Sequence, residues 1–119
     1  MPYVDGFVLP VPKKNLKKYQ ALSKKCGKIW KEFGALEYVE CVADDVKPGK
    51  WTSFPQSVKL KKDEVVVFSW IVYKSRKERD AINKKVMADP RLSAMMAGKD
   101  MPFDGKRMIY GGFKTFLSL

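Results

Sequence analysis

Two carboxylates of this sequence occupy positions where burial would give them acid–base chemistry. Asp5 alternates with the apolar residues of the segment Tyr3–Val11. Glu40 alternates in the same way with its neighbours in Leu36–Ala43. A carboxylate in an apolar place has a raised pKa and can accept a proton from a substrate. Asp5 and Glu40 are therefore candidate catalytic bases, and Tyr110 is a candidate for orienting the substrate. The alternative for both carboxylates is a structural pairing with a basic side chain or a backbone N–H.

A second group of charged residues lies in the segment Met101–Gly112. Asp104 is followed by a glycine, which is typical of a turn, and Lys106 and Arg107 come directly after it. Leading into Tyr110, these side chains could line the mouth of a pocket and hold an anionic small molecule, and Arg107 could share in orienting a substrate. The alternative is a turn whose charges neutralise each other.

Several kinds of chemistry are excluded by what the sequence lacks. It contains no histidine, so a histidine triad, a histidine-ligated zinc ion and an imidazole pH switch are impossible. Cys26 and Cys41 are far apart and form no CxxC motif, which favours two buried, reduced thiols of a cytoplasmic protein. We expect neither a metal site nor a built-in cofactor.

The elements that position these side chains follow from hydrophobic periodicity and capping residues. Asn15 is the predicted N-cap of the first helix, and Ser75 and Asp89 are the predicted N-caps of the later two. The predicted strands are Tyr3–Val11, Leu36–Ala43, Glu64–Tyr73 and Arg107–Leu117, and the predicted helices end at Phe33, Met87 and Ala97. A loop is expected at Gly98–Lys106. Asp44–Asp63 is too long for a plain loop, so a short strand or an arm is expected within Trp51–Leu60.

The order strand, helix, strand, strand, helix, strand predicts an α+β fold of the ferredoxin-like βαββαβ type. In this fold both helices cover one face of an antiparallel sheet. Residues 1–119 are the length of a single domain.

The strand Glu64–Tyr73 carries apolar residues on both of its sides. Helices can cover only one sheet face, so we expect the other face, which includes Phe68 and Trp70, to pack on a second copy of the chain. The predicted assembly is a homodimer joined through its sheet faces. Trp70 is also a candidate ligand-binding residue, although a place in the core or the interface is the commoner role.

The formal net charge of +11 raises the question of nucleic-acid binding. Helical spacing collects eight of the lysines in one stripe opposite the apolar face, at residues 13, 14, 17, 18, 24, 25, 28 and 31. Lysine outnumbers arginine 20 to 4, whereas specific base contacts favour arginine. Tyr19 and Trp30 fall on the apolar side, so no aromatic side chain is placed for base stacking. We therefore do not expect specific RNA or DNA binding.

The segments YVDGF, EFGAL, VECVADDV, DEVVVFSW, KVMADPR and MPFDGKRMIYGGF occur in this order along nearly the whole chain. In these segments the chain resembles the YbaA-like bacterial family. The resemblance implies membership of the dimeric α+β barrel superfamily, and therefore the same fold and dimer. It implies no specific activity. Relatives by fold include cofactor-independent monooxygenases, isomerases and decarboxylases with a pocket between sheet and helices.

Three functions remain open at this point. The first is a cytoplasmic homodimeric α+β barrel protein that binds a small anionic or aromatic ligand. The second is a cofactor-independent enzyme, monooxygenase-like or isomerase-like, with Asp5 or Glu40 as the base. The third is a basic protein associated with RNA or DNA through its first helix. No membrane span is expected, because the longest apolar run, Val65–Tyr73, is far shorter than the roughly 20 residues that a spanning helix needs.

Overall fold

The computed structural model describes residues 1–98 and 101–119. Its strands are β1 (Tyr3–Pro12), β2 (Glu37–Val42), β3 (Glu64–Tyr73) and β4 (Ile109–Lys114). Its α-helices are α1 (Leu16–Glu32), α2 (Phe54–Ser57), α3 (Arg76–Met87) and α4 (Pro90–Met96), and short 3-10 turns occupy Lys13–Asn15 and Gly105–Arg107.

The strands form one antiparallel sheet in the order β2-β3-β1-β4. This confirms the predicted ferredoxin-like α+β fold. The register sets Asp5 opposite Ile71 on β3 and sets Glu40 opposite Ser69 on the same strand. Facing residues of paired strands share a side of the sheet, so both carboxylates point to the side that α1, α3 and α4 cover.

The core lies between this face of the sheet and the helices. Because side chains alternate along a strand, Leu9 and Val11 of β1 and Ile71 and Tyr73 of β3 are buried there together. The helices contribute their apolar stripes, which include the buried residues Tyr19, Cys26, Ile29, Ile82, Val86 and Leu92. Most of the core thus lies on this side of the sheet, and on the other side Pro10 and Val66 are also buried.

The ends of the helices show which capping predictions are correct. The Ser75 and Asp89 side chains accept hydrogen bonds from backbone N–H groups in the first turns of α3 and α4, as predicted. Asn15 stands at the N-cap position of α1 as predicted, but its side chain makes no capping hydrogen bond and instead donates to the Pro102 carbonyl at 3.3 Å. After α1, Gly34 has a φ of 117°, a conformation that glycine adopts readily and that ends the helix.

Two further segments differ from the sequence prediction. Trp51–Leu60 contains the short helix α2 and no strand, because Ser53 caps its N-terminus and Pro55 lies in its first turn, where the missing N–H is harmless. The last strand ends at Lys114 instead of Leu117. The predicted loop Gly98–Lys106 includes residues 99 and 100, which lie outside the described residues, and its last two residues belong to a 3-10 turn.

The described residues cover the other face of the sheet only at one end, where Phe54 of α2 packs edge-on against Phe68 with ring centroids 5.8 Å apart. Alternation and register place Val4 and Val8 of β1, Phe68 and Trp70 of β3, and Ile109 and Phe113 of β4 on this side. Phe68 is 42% exposed and Phe113 is 64% exposed. We call this surface the open face. Among residues 1–98 and 101–119, no helix is long and apolar enough to cross a membrane.

Candidate functional site

A cavity of about 610 Å³ lies between the covered face of the sheet and helices α1, α3 and α4. This size suits a small organic ligand, since pockets for such molecules span roughly 300–1,000 Å³. Its lining is mainly apolar and aromatic, and includes Phe7, Leu9, Leu22, Ile71, Leu92, Phe103 and Met108. The polar groups in it are few, so their positions define what the cavity could recognise.

Glu40 on the edge strand β2 is the carboxylate with the least ordinary surroundings. Its Oε2 accepts a hydrogen bond of 2.8 Å from the Tyr19 hydroxyl, and its Oε1 accepts one of 3.4 Å from the Tyr38 hydroxyl. Burial raises the pKa of Glu40, and the two phenol hydrogen bonds offset part of that rise. In the described part of the chain, no basic side chain forms an ion pair with Glu40.

The groups around Glu40 are correspondingly hard to ionise. Burial, followed by the charge of Glu40, raises the pKa of Tyr19 and of Tyr38 well above the usual range of a phenol. The same two causes raise the pKa of the Cys26 thiol. These groups therefore stay protonated at neutral pH, so Glu40 is the group in this cluster that can accept a proton.

Asp5 lies deeper in the cavity lining and has a cation partner. The Arg79 Nε lies 3.1 Å from both Asp5 oxygens, and a terminal nitrogen of the same guanidinium lies 2.9 Å from Oδ1. Arg79 also stacks over the Tyr3 ring, at 5.2 Å from its centroid. A Cβ at Gly112 would lie 2.6 Å from this guanidinium. A side chain at position 112 would therefore clash with Arg79, and glycine avoids the clash. Asp5 is thus paired with a basic side chain, the arrangement that the sequence analysis gave as the alternative to a catalytic base.

A third polar group of the cavity centres on Asn83 of α3. Its Oδ1 accepts a hydrogen bond from the Trp30 indole N–H at 3.0 Å and another from the Tyr73 hydroxyl at 3.2 Å. Burial, followed by the charge of Asp5, raises the pKa of Tyr73. Two donors therefore fix the orientation of one amide oxygen.

Tyr110 and Trp70 lie at different places around the cavity. Tyr110 is among the lining residues, stacks on Phe7 with ring centroids 6.3 Å apart, and is 70% exposed, so it belongs to the rim. Trp70 also borders the cavity, but its ring contacts Phe68 on the open face at 5.7 Å. The structure therefore brings Tyr110 to the cavity and directs the Trp70 ring to the opposite side of the sheet.

The charged turn before β4 does not contribute to the cavity lining. Arg107 donates to both oxygens of Glu64, at 2.7 and 2.6 Å, and to Asp104 at 3.0 Å. The hydrogen bond from Arg107 is the largest cause that lowers the pKa of Glu64. Asp104 also accepts from the Lys106 backbone N–H at 3.0 Å. Asp104 and Arg107 thus neutralise each other in this turn together with Glu64, whereas Lys106 contacts Asp104 through its backbone N–H.

Sequence reasoning missed Arg79 and Asn83, although a signal was present. The two residues are four apart and share a helical face with the buried Ile82 and Val86, so they are polar residues on an apolar stripe. A polar side chain at such a position faces the protein interior and needs a hydrogen-bond or ion-pair partner there. Tyr19 was placed correctly on the buried side of α1, but its hydroxyl partner was not foreseen.

No cluster of three or more acidic or cysteine side chains is arranged to hold a metal ion within residues 1–98 and 101–119. Cys26 and Cys41 are free thiols; Cys26 is buried as expected, whereas Cys41 on the edge strand β2 is exposed, so the expectation of burial is wrong for Cys41. The polar groups that line the cavity are carboxylates, phenols, serine hydroxyls, an amide, a guanidinium, an indole N–H and the Cys26 thiol, and their chemistry includes hydrogen bonding and proton transfer.

The strand order, the helices on one face and the cavity between them define a ferredoxin-like α+β protein. Solved structures with this fold include a cofactor-independent oxygenase, SnoaB from Streptomyces nogalater, with a TM-score of 0.63, 9% identity and coverage of 99% of this chain and 96% of that chain. A dimeric ferredoxin-like protein from an uncultured marine organism aligns with a TM-score of 0.61 and 11% identity over 100% of both chains. At these identities the likeness concerns the fold alone.

The particular family is shown by sequence. The chain belongs to the family described as "Protein of unknown function (DUF1428)", which matches residues 2–105. It is 52% identical over 117 residues to the uncharacterized protein YbaA of Escherichia coli strain K12, covering 98% of each chain. The YbaA protein of Shigella flexneri matches with the same identity and coverage. These relatives confirm the resemblance that the sequence segments indicated.

Proposed function

We propose that the cavity binds a small, largely apolar organic molecule that carries a hydrogen-bonding or acidic group, and that this group contacts Glu40. The observation that carries the proposal is the half-buried Glu40 carboxylate, which accepts hydrogen bonds from two phenols at the wall of an apolar cavity and forms no ion pair with any described residue. A carboxylate that burial removes in part from water is normally paired with a cation. A carboxylate left in this state is suited to a ligand that supplies a proton or a hydrogen bond.

Binding of 2-naphthol, an aromatic molecule with one acidic hydroxyl, tests this proposal. Leu22 lines the cavity, whereas its neighbour Ala21 is exposed on α1 and does not. We expect Leu22→Phe to fill part of the cavity and weaken 2-naphthol binding at least tenfold in calorimetric titration. The matched variant Ala21→Phe should bind as the unaltered protein does. Equal affinities in the two variants would contradict binding in the cavity.

A second candidate function is cofactor-independent catalysis with Glu40 as general base. Its raised pKa brings it closer to the range in which a carboxylate takes a proton efficiently at neutral pH. In such a step the C–H bond next to a carbonyl breaks, its proton moves to a Glu40 oxygen, and the electron pair forms an enolate. SnoaB, which has this fold, is described as a cofactor-independent oxygenase. This likeness supports only the capacity of the fold for such chemistry.

Proton abstraction can be measured with 2-tetralone, an aromatic ketone with acidic C–H groups. Its exchange of hydrogen for deuterium in D2O, followed by NMR, should be faster with the protein than without it. Glu40→Gln should abolish the acceleration, because the amide cannot take up the proton. Glu37→Gln alters an exposed carboxylate of the same strand and should leave it intact. Acceleration that survives Glu40→Gln would exclude Glu40 as the base.

We also propose that two copies of the chain pack through their open faces. The support is the uncovered apolar surface around Phe68, Trp70 and Phe113, which is unusual for a monomer. A symmetric contact between two such faces would bury it. The dimeric description of one structural neighbour agrees with this assembly.

The cytoplasm is the location that we propose. Cys26 and Cys41 are both free thiols, the state that a reducing compartment maintains. Immunoblotting of cytoplasmic, periplasmic and membrane fractions tests the proposal, and recovery mainly in the periplasm would contradict it.

A further inference from the structure

Asn83 has a geometry that its packing role does not require. Its Oδ1 already accepts two hydrogen bonds, from the Trp30 indole and the Tyr73 hydroxyl. An indole N–H can only donate, so the amide atom 3.0 Å from it must be the oxygen and not the nitrogen. This fixes the position of Nδ2, a group with two N–H donors, for which no described residue supplies an acceptor.

Two aromatic side chains, Trp30 and Tyr38, lie between Asn83 and Glu40. Trp30 donates to Asn83, Tyr38 donates to Glu40, and the rings of Trp30 and Tyr38 lie 6.0 Å apart at an angle of 39°. All four residues line the cavity. The two polar groups therefore lie at either end of a pair of aromatic rings, each anchored by a hydrogen bond from the ring next to it.

We propose that Asn83 is a specificity-determining residue whose Nδ2 donates to an acceptor oxygen of the ligand. The ligand class is a planar aromatic molecule that packs against Trp30 and Tyr38 and carries a carbonyl-type oxygen at the Asn83 end. This inference rests on the proposed function, because it names the second polar contact of the ligand that Glu40 binds. Among the described residues no buried side-chain nitrogen lacks a partner, so Nδ2 is accessible, and because Asn83 lines the cavity a ligand oxygen there can replace water as its acceptor.

Two probes of the same shape isolate the contribution of the acceptor oxygen. They are 2-acetonaphthone and 2-isopropenylnaphthalene, in which a CH2 group replaces the carbonyl oxygen. The ratio of their dissociation constants measures the preference of the protein for the oxygen. In Asn83→Asp both carboxylate oxygens can still accept from Trp30 and Tyr73, but the N–H donors are gone. We expect the preference to fall about fivefold to tenfold, the value of one hydrogen bond.

Ser93→Ala, a change at another polar residue of the cavity lining, is the control and should leave the preference unchanged. If Asn83→Asp is too unstable to measure, the side-chain NH2 resonances of Asn83 in the unaltered protein give the same information. They should shift with 2-acetonaphthone and not with 2-isopropenylnaphthalene.

An unchanged preference in Asn83→Asp, or equal shifts with both probes, would overturn the inference. If 2-naphthol binds and 2-acetonaphthone does not, the role of Asn83 is contradicted while the proposed function stands. If none of the three molecules binds, the proposed function fails together with the inference.

Discussion

Tyr19 of α1 donates a hydrogen bond of 2.8 Å to Glu40 of β2 across the wall of the cavity. The contact joins a buried residue of the first helix to a half-buried carboxylate on the edge strand. It keeps a proton donor next to the one carboxylate of the cavity lining that has no basic partner in the described structure. The hydrogen bond is therefore the centre of the proposed binding site.

We expect the free energy of unfolding to depend on pH through the titration of Glu40. Its pKa in the folded protein lies above its ordinary value of 4.5, so the folded chain keeps this proton at pH values where the unfolded chain has lost it. The associated stability is present below pH 4.5 and is lost as the pH rises through the folded-state pKa. Relative to Glu40→Gln, the unaltered protein should therefore lose unfolding free energy on going from low to neutral pH, as measured by urea denaturation.

Glu64→Gln is the matched comparison, for which the expected change of unfolding free energy with pH has the opposite sign. Arg107 lowers the pKa of Glu64, so its stability contribution is complete above 4.5 and is lost as the pH falls through the folded-state pKa. Relative to Glu64→Gln, the unaltered protein should lose unfolding free energy on acidification. The same slope for both comparisons would contradict the surroundings described for the two carboxylates.

Removing the Asp5 carboxylate should destabilise the protein strongly. Asp5→Asn leaves Arg79 without its bidentate partner in a site where the Asp5 side chain is only 8% exposed. Breaking a fully buried pair costs roughly 3–5 kcal/mol. Because Arg79 is 21% exposed and keeps Asp80, we expect about 2–3 kcal/mol.

The exposed pair Arg76–Asp80 provides the control for Asp5→Asn. Arg76→Gln should cost less than about 1 kcal/mol in the same denaturant titration. A cost for Asp5→Asn no larger than that of Arg76→Gln would show that the Asp5–Arg79 pair is not structural.

The proposed dimer predicts a loss of assembly when charge is placed on the open face. Phe68→Glu would bury an unpaired carboxylate between two sheets, which is unfavourable by several kcal/mol. Light scattering coupled to gel filtration should give twice the mass of 13.6 kDa for the unaltered protein and a single 13.6 kDa chain for Phe68→Glu. Ala21→Glu on exposed α1 should remain dimeric. A monomeric unaltered protein at micromolar concentration would refute the dimer.

Nucleic-acid binding should be weak and independent of sequence. The stripe lysines of α1 lie on its exposed side, whereas Tyr19 and Trp30 line the cavity and cannot stack on bases. Fluorescence anisotropy with labelled RNA and duplex DNA should show binding that falls steeply with salt and is negligible near physiological ionic strength. Tight, sequence-dependent binding there would favour the nucleic-acid function instead.

The sequence predicted the fold well, because its strongest signals are local. Alternation in β3 and the caps at Ser75 and Asp89 depend on neighbouring residues and match the structure. The position of Asn15 at the N-cap of α1 was also predicted, but its side chain donates to the distant Pro102 carbonyl and does not cap the helix. A hydrogen bond to a residue far along the chain cannot be predicted from the residues next to Asn15.

The site was predicted only in part for the same reason. Strand alternation places Glu40 and Asp5 on the covered face, and this holds in the structure. Whether each carboxylate meets a cation depends on residues distant in sequence: Arg79 is 74 positions from Asp5, and Arg107 is 43 positions from Glu64. The sequence shows which side chains are buried, but the packing of α3 and of the last turn decides which of them are neutralised.

The indole N–H resonances of the three tryptophans test the central claim most directly. Trp30 lines the cavity and donates to Asn83, Trp51 is 86% exposed, and the Trp70 ring lies on the open face. Titration with 2-naphthol in a ¹H–¹⁵N spectrum should shift the Trp30 signal in a saturable way and leave that of Trp51 unchanged, and Glu40→Gln should weaken the effect. A saturable shift of Trp51 or Trp70 with Trp30 unmoved would contradict ligand binding in the cavity.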